Sequence, residues 1–200
     1  MERTVAVLAS GSGTNLQALL DDPVVGPRIG VVVSDRAEAG ALQRARGRGV
    51  EPLHLDPAAY PSRQAHDEAL VRALRARGIE VVCLAGYMRI LTSAAVRAFW
   101  GRMLNVHPSL LPAFPGAHPV RDALAWGAKV TGVTVHLVDE EVDHGPIVAQ
   151  EAVPVLEADD EASLHARIQE VEHRLYPEAA GLVLQGRVSV EGRRVRVVPT

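Results

Sequence analysis

Hydrophobic positions along this chain follow two rhythms. Continuous apolar runs at residues 5–9, 29–34, 80–85 and 103–107 are rich in Val, Leu, Ile and Ala, as buried parallel strands are. Between them apolar residues recur every three or four positions. Ala65, Ala69, Leu70, Ala73 and Leu74 form such a stripe, which predicts a helix over 63–77 ended by Gly78. Similar patterns predict helices beginning near Leu16, over 37–48 with Gly49 as its stop, from Thr92 to about Trp100, and over 117–126. With a short strand at 51–55, the order βαβαβ describes the first half of a doubly wound sheet.

After residue 129 the period changes to two. Val130, Gly132, Thr134, His136 and Val138 share one face, and Thr131, Val133, Val135 and Leu137 the other, with 146–153 as the answering partner strand. A long helix starts at Asp159 or Asp160 and runs to about Leu184, where Pro177 is expected to kink or divide it. Residues 188–195 close the chain as an edge hairpin with a tight glycine turn. The expected fold is α/β: an open, mostly parallel, Rossmann-like sheet with an antiparallel C-terminal part and helices on both faces.

Composition narrows the class further. Two hundred residues, 48% of them hydrophobic, suffice for one domain over 1–200 with a substantial core. A net charge of -3 with interspersed signs offers no basic stripe, so nucleic acid is not an expected partner. Met1-Glu2-Arg3 and the short apolar run after it match neither a signal peptide nor a bilayer span, so a cytoplasmic protein without a membrane partner is expected. Cys83, the sole cysteine, lies in an apolar run and reads as a buried thiol. His136 and His144 raise the question of a metal, but the His and acidic residues lack an established ligand spacing, and none is expected.

The most compact chemistry is Asn105-Val106-His107-Pro108-Ser109-Leu110-Leu111-Pro112, where a strand surfaces into a proline-punctuated loop. An amide that can donate to an oxyanion, beside an imidazole that titrates near neutrality, suits addition to a carbonyl. Ser10-Gly11-Ser12-Gly13-Thr14-Asn15 joins the first strand to a helix. It reads either as an anion-binding loop or as a plain tight turn. The absence of a Lys-Ser/Thr pair and the presence of Leu16 argue against nucleotide fingerprints, although Asp35 stands about 20 residues on, where a ribose-binding acid would; a single phosphate monoester is preferred.

Other stations keep two readings at this level. Gly86-Tyr87-Met88-Arg89-Ile90-Leu91 lines a pocket for a flat ligand or merely packs. Arg63, in the first turn of its helix, is solvated or awaits an anion. The acidic segment 139–145 is a solvated turn, or it supplies a carboxylate to orient His107. Gln169, Glu172 and His173 form one polar helix face, and His118 and Arg121 lie within reach of the same cleft. The glycine loop, the 86–91 segment and Asn105/His107 all follow strands, so they share the rim where open α/β sheets bind ligands.

Taken in order, 7–17 (VLASGSGTNLQ), 84–91 (LAGYMRIL), 105–112 (NVHPSLLP) and 143–147 (DHGPI) resemble the phosphoribosylglycinamide formyltransferase family over nearly the whole chain. The resemblance implies transfer of a formyl group from 10-formyltetrahydrofolate, a co-substrate, to the amine of glycinamide ribonucleotide in de novo purine biosynthesis, without a metal. It implies catalytic roles for Asn105, His107 and Asp143, with Asp143 favouring the imidazolium form of His107. It places the ribonucleotide on Gly13, Thr14, Asn15, Gln169, Glu170, Val171 and Glu172. It places the folate on Arg63, Met88, Arg89, Ile90, Leu91, Asn105, Asp139, Glu140, Glu141, Val142 and Asp143. Residues 1–100 would then be the phosphate-binding half and 101–200 the folate and catalytic half of a monomer or homodimer with small-molecule substrates. Ala113-Phe114-Pro115-Gly116 lacks the basic residue some relatives carry there, and His144 replaces a residue that is commonly small. Methionyl-tRNA formyltransferase and formyltetrahydrofolate hydrolase share the Asn/His/Asp logic but carry further domains, for which the length leaves no room. A noncatalytic phosphate-binding module is the alternative from another class.

Overall fold

Strand β1 (Thr4–Leu8) is buried on both sides in the interior of a seven-stranded sheet in the computed structural model, which describes residues 4–198. Val5, Val7 and Ala9 enter one hydrophobic core and Ala6 and Leu8 the other, so the alternating Cβ directions of one strand supply both layers. From β1 the chain passes through α1 (Thr14–Asp21) to β2 (Ile29–Ser34), then through α2 (Gly40–Gly47) to β3 (Glu51–His54). Helix α3 (Arg63–Ala76) carries it back across to β4 (Ile79–Leu84) on the other flank of β1, and α4 (Ser93–Ala98) leads to β5 (Met103–His107). All neighbours to this point are parallel. After α5 (Pro119–Trp126), β6 (Val130–Leu137) joins β5 antiparallel, and β7 (Ile147–Pro154) joins β6 likewise, giving the order 3-2-1-4-5-6-7.

Helix α6 (Glu161–Leu184) returns along one face of the sheet. A capping box between Asp160 and Ser163 starts it. It runs through Pro177 as one helix, so the expected division does not occur. A mid-helix proline costs about 3 kcal/mol; here Leu175, Tyr176, Ala179, Ala180 and Val183 are all buried around it, and that packing offsets the cost. The Tyr176 hydroxyl donates toward the carbonyl oxygens of Leu84 at 2.9 Å and Leu104 at 3.2 Å, fastening the helix to β4 and β5. The Cys83 thiol is buried beside it, and burial pushes its pKa up to about 12.

Smaller departures have local causes. Helix α1 starts at Thr14, two residues early, because Gly13 adopts φ 78° and turns the loop straight into the helix. Helix α2 starts only at Gly40, where the Ala41 N–H is engaged by the Gly11 carbonyl. Helix α5 starts at Pro119, whose fixed φ suits the first helical position. The terminal hairpin, β8 (Val188–Glu191) and β9 (Arg194–Val197), forms a two-stranded sheet of its own and does not extend the main one. Among the described residues, no helix is long and apolar enough to cross a membrane.

Replacing Tyr176 by Phe removes the hydroxyl's contacts to two carbonyls that also belong to the β4–β5 ladder and is expected to lower unfolding free energy by about 0.5–1.5 kcal/mol. Equilibrium denaturation measures this; an unchanged midpoint would show that the hydroxyl is not what fastens α6 to the sheet.

Candidate active site

Strand order reverses at β1, with β2 on one side and β4 on the other, and a crevice opens at their carboxyl ends. Ser10 closes its floor: its N–H donates to the Gly86 carbonyl at 3.1 Å, and its hydroxyl donates to Asp35 at 2.5 Å while accepting from the Met88 N–H at 2.9 Å. Asp35 thus serves Ser10 in place of a ribose. Above this floor lies a cleft of about 700 Å³, lined by Gly11–Asn15, Met88–Leu91, Asn105–Pro108, Val138–Asp143, Gln169 and Glu172.

The glycine loop forms one end. No side chain caps α1, and its first turn carries no acid, which leaves this helix N-terminus suited to an anion. Asn15 donates to the Glu172 carboxylate at 3.0 Å, joining the loop to α6. Glu172 is only 4% exposed, and burial raises its pKa while the bond from Asn15 opposes the rise. The Asn15 side-chain oxygen is buried without a partner among the described residues. Gln169 and Glu172 face the cleft, whereas Glu170 and Val171 do not line it: residues three apart share a helical face, and Val171 packs on the core. His165 and Glu161 extend the same lining face by one and two turns.

At the other end two walls face each other. Met88 (64% exposed) and Ile90 (60%) present apolar side chains on one, and Val142 (54%) on the other. The buried Asp67 carboxylate holds the first wall by accepting from the Thr92 N–H at 2.6 Å, and His66 contacts the same carboxylate at 3.1 Å. Glu140 pairs with Arg97 at 2.7 Å, and Asp139 pairs with His144 at 2.7 Å, fixing the second wall. His144 is therefore an external brace, because its carbonyl also accepts from Arg193 of the β8–β9 turn at 2.5 Å. Arg63 is exposed at the start of α3 and does not line the cleft.

Asn105, His107 and Asp143 come together between these features, although Asp143 arrives from the β6–β7 connection. His107 is 4% exposed. Its Nε2 meets the Phe114 carbonyl at 2.9 Å and so carries a proton, while Nδ1 faces Asp143 at 3.4 Å. Burial lowers the His107 pKa, and the Phe114 carbonyl and Asp143 charge offset this only in part. Asp143 thus acts in the expected direction, but burial prevails and the resting imidazole is neutral at neutral pH. Asp143 is itself subject to a rise from burial, yet hydrogen bonding and the neighbouring His136 and His107 bring its pKa below the ordinary value. Among its contacts, the Gly116 N–H at 2.8 Å is a true hydrogen bond, whereas His136 Nε2 at 3.8 Å is an electrostatic neighbour.

His136 is the residue whose part here went unrecognised in the sequence; it contacts Asn105 Nδ2 at 3.2 Å. The alternating pattern of β6 placed it on a strand face, and only the antiparallel register of β6 on β5 sets it opposite Asn105. Among the described residues, no group of three or more His, Cys, Asp or Glu is arranged to hold a metal ion.

A doubly wound sheet with an amide, an imidazole and a carboxylate at one strand end coincides with a family relationship: the profile described as "Formyl transferase" matches residues 3–180, and the chain belongs to that family. It is 46% identical to phosphoribosylglycinamide formyltransferase of Mycobacterium tuberculosis over 201 residues, covering 96% of this chain and 93% of that one. Glycinamide ribonucleotide transformylase 1 from Symbiobacterium toebii has the same fold at a TM-score of 0.95 and 56% identity, covering 100% of this chain and 95% of that chain. The chain also matches the trifunctional purine biosynthetic protein adenosine-3 of Drosophila melanogaster, at 44% identity over 92% of its own length but only 14% of that relative's.

An NMR titration of the His107 ring is expected to give a midpoint below the ordinary 6.5. Asp143→Asn removes a charge that favours the imidazolium, so it should move the midpoint further down; an upward move would contradict this balance.

Proposed function

We propose that this chain transfers the formyl group of 10-formyltetrahydrofolate to the primary amine of glycinamide ribonucleotide, a step of de novo purine nucleotide biosynthesis. The observation that carries the proposal is one cleft that joins an uncapped helix N-terminus, an amide–imidazole–carboxylate cluster and a pair of apolar walls. Gly13, Thr14 and Asn15 hold the phosphate, and Gln169 and Glu172 contact the ribose and glycinamide. Met88–Leu91 and Asp139–Asp143 receive the pteridine between them, the first wall with Arg89 backbone as well as apolar groups. Arg63, outside the cleft, meets the anionic glutamate tail and not the formyl-bearing part. The first half of the chain thereby supplies the phosphate end, and the second the catalytic cluster.

In the reaction the amine nitrogen attacks the formyl carbon, and its new C–N bond leaves negative charge on the formyl oxygen. Asn105 donates to that oxygen; one such donor is worth about 10²–10³ in kcat. The amine's surplus proton passes to His107 at Nδ1, the ring nitrogen without a committed partner, and Asp143 opposite it stabilises the imidazolium. When the carbon–N10 bond of the folate breaks, His107 returns that proton to the departing nitrogen. Burial, by keeping the ring neutral beforehand, leaves it free to take the proton up. Holding two substrates together in one cleft supplies much of the remaining acceleration.

The test follows loss of the formyl group from the folate spectroscopically, with and without glycinamide ribonucleotide. Consumption should require the amine; equal consumption without it would mean hydrolysis. Asn105→Ala is expected to lower kcat about 10²–10³-fold, and His107→Ala and Asp143→Ala about 10²–10⁴-fold. Near-normal turnover in any of these variants removes that residue from its role.

A further inference from the structure

The orientation of the Asn105 amide is set from inside the protein. His136 stands opposite Asn105 in the β5–β6 register and is 2% exposed. Its Nδ1 lies 2.9 Å from the carbonyl oxygen of Leu137. A carbonyl only accepts, so Nδ1 carries the proton, and in the neutral ring Nε2 is a bare lone pair. That lone pair lies 3.2 Å from Asn105 Nδ2. Only the NH2 end of the amide satisfies it, since the carbonyl end would set two acceptors against each other. The second Asn105 proton has Asp143 Oδ1 at 3.5 Å, the edge of hydrogen-bonding distance. One proton is committed inward, and the other is lightly held.

We infer that His136 is a positioning residue for formyl transfer: as the Nδ1–H tautomer it fixes the Asn105 amide by one N–H, leaving the other to be delivered to the formyl oxygen as charge develops there. The inference rests on the reading of this cleft as a formyl-transfer site. An amide free to turn about its last side-chain bond would present oxygen as readily as nitrogen, and oxygen would repel the developing anion. The surroundings are consistent with a bare Nε2. Asp143 Oδ1 faces it at 3.8 Å, beyond hydrogen-bonding distance, while the other oxygen of that carboxylate accepts from the Gly116 N–H.

Imidazole ¹⁵N shifts of the wild-type protein read the tautomer directly. The expected result is a protonated Nδ1 and a pyridine-like Nε2 at residue 136; an Nε2–H tautomer or an imidazolium overturns the inference. In kinetics, His136→Leu should lower kcat about 10–100-fold while KM for both substrates stays within about threefold, since an interaction made only in the transition state is weakened. His136→Gln places an amide oxygen near the position of Nε2 and should regain most of the lost rate. A leucine variant as fast as wild type, two variants equally slow, or a loss confined to KM overturns the inference. Should the leucine variant fail to fold, the wild-type tautomer decides. Wild-type turnover is measured first: if it does not require the amine, the reading of the site fails, whereas normal turnover in His136→Leu removes only the role of His136.

Discussion

The cleft depends on one hydroxyl. Ser10 lies where β1 ends, donates to Asp35 after β2 and accepts from Met88 after β4, so a single side chain ties the ends of the three strands around which the sheet reverses. A reversal point by itself produces only a gap between diverging connections. Here the hydroxyl satisfies a backbone donor on one flank and a carboxylate on the other, and the gap acquires a floor. The glycine loop then leaves that floor on one side and the Met88–Leu91 wall on the other. Their separation is therefore set by the sheet and needs no ligand to establish it.

Electrostatics in the cluster come from competition between solvation and charge. For His107 burial dominates and keeps the ring neutral. For Asp143 burial is again the largest single influence, but the Gly116 N–H and two imidazoles together reverse it. The two groups are close, at 3.4 Å, without sharing a proton tightly. This is a pair able to change its protonation state once, at modest cost, when a proton arrives from elsewhere.

Much of the fold was legible because strands buried on both faces must be continuously apolar, as β1, β2, β4 and β5 are. The change to period two correctly marked where the sheet becomes antiparallel. Helix limits were less legible: Pro177 carries a local rule that the packing of Tyr176 and its neighbours overrides. In the cleft, Asn105, His107 and the glycine loop announced themselves by residue type. Asp143 did not, because charge alone makes residues 139–145 a solvated turn; the resemblance supplied it. Glu170 and Val171 were included by running a contiguous segment through a helix that shows only every third or fourth residue to the cleft. His136 was noticed for its metal-binding chemistry, while its contact with Asn105 depends on strand register, which no local pattern discloses.

Asp143 adopts φ 52°, a left-handed conformation that a non-glycine residue enters at a cost of about 1 kcal/mol or more. Gly116 holds its carboxylate in place from a separate loop. Glycine or asparagine would suit that backbone better, and neither carries a charge. Position 143 is thus a place where thermodynamic comfort and chemical competence pull apart. A search for stabilising substitutions that scores only the fold would be drawn to the one residue it should leave alone.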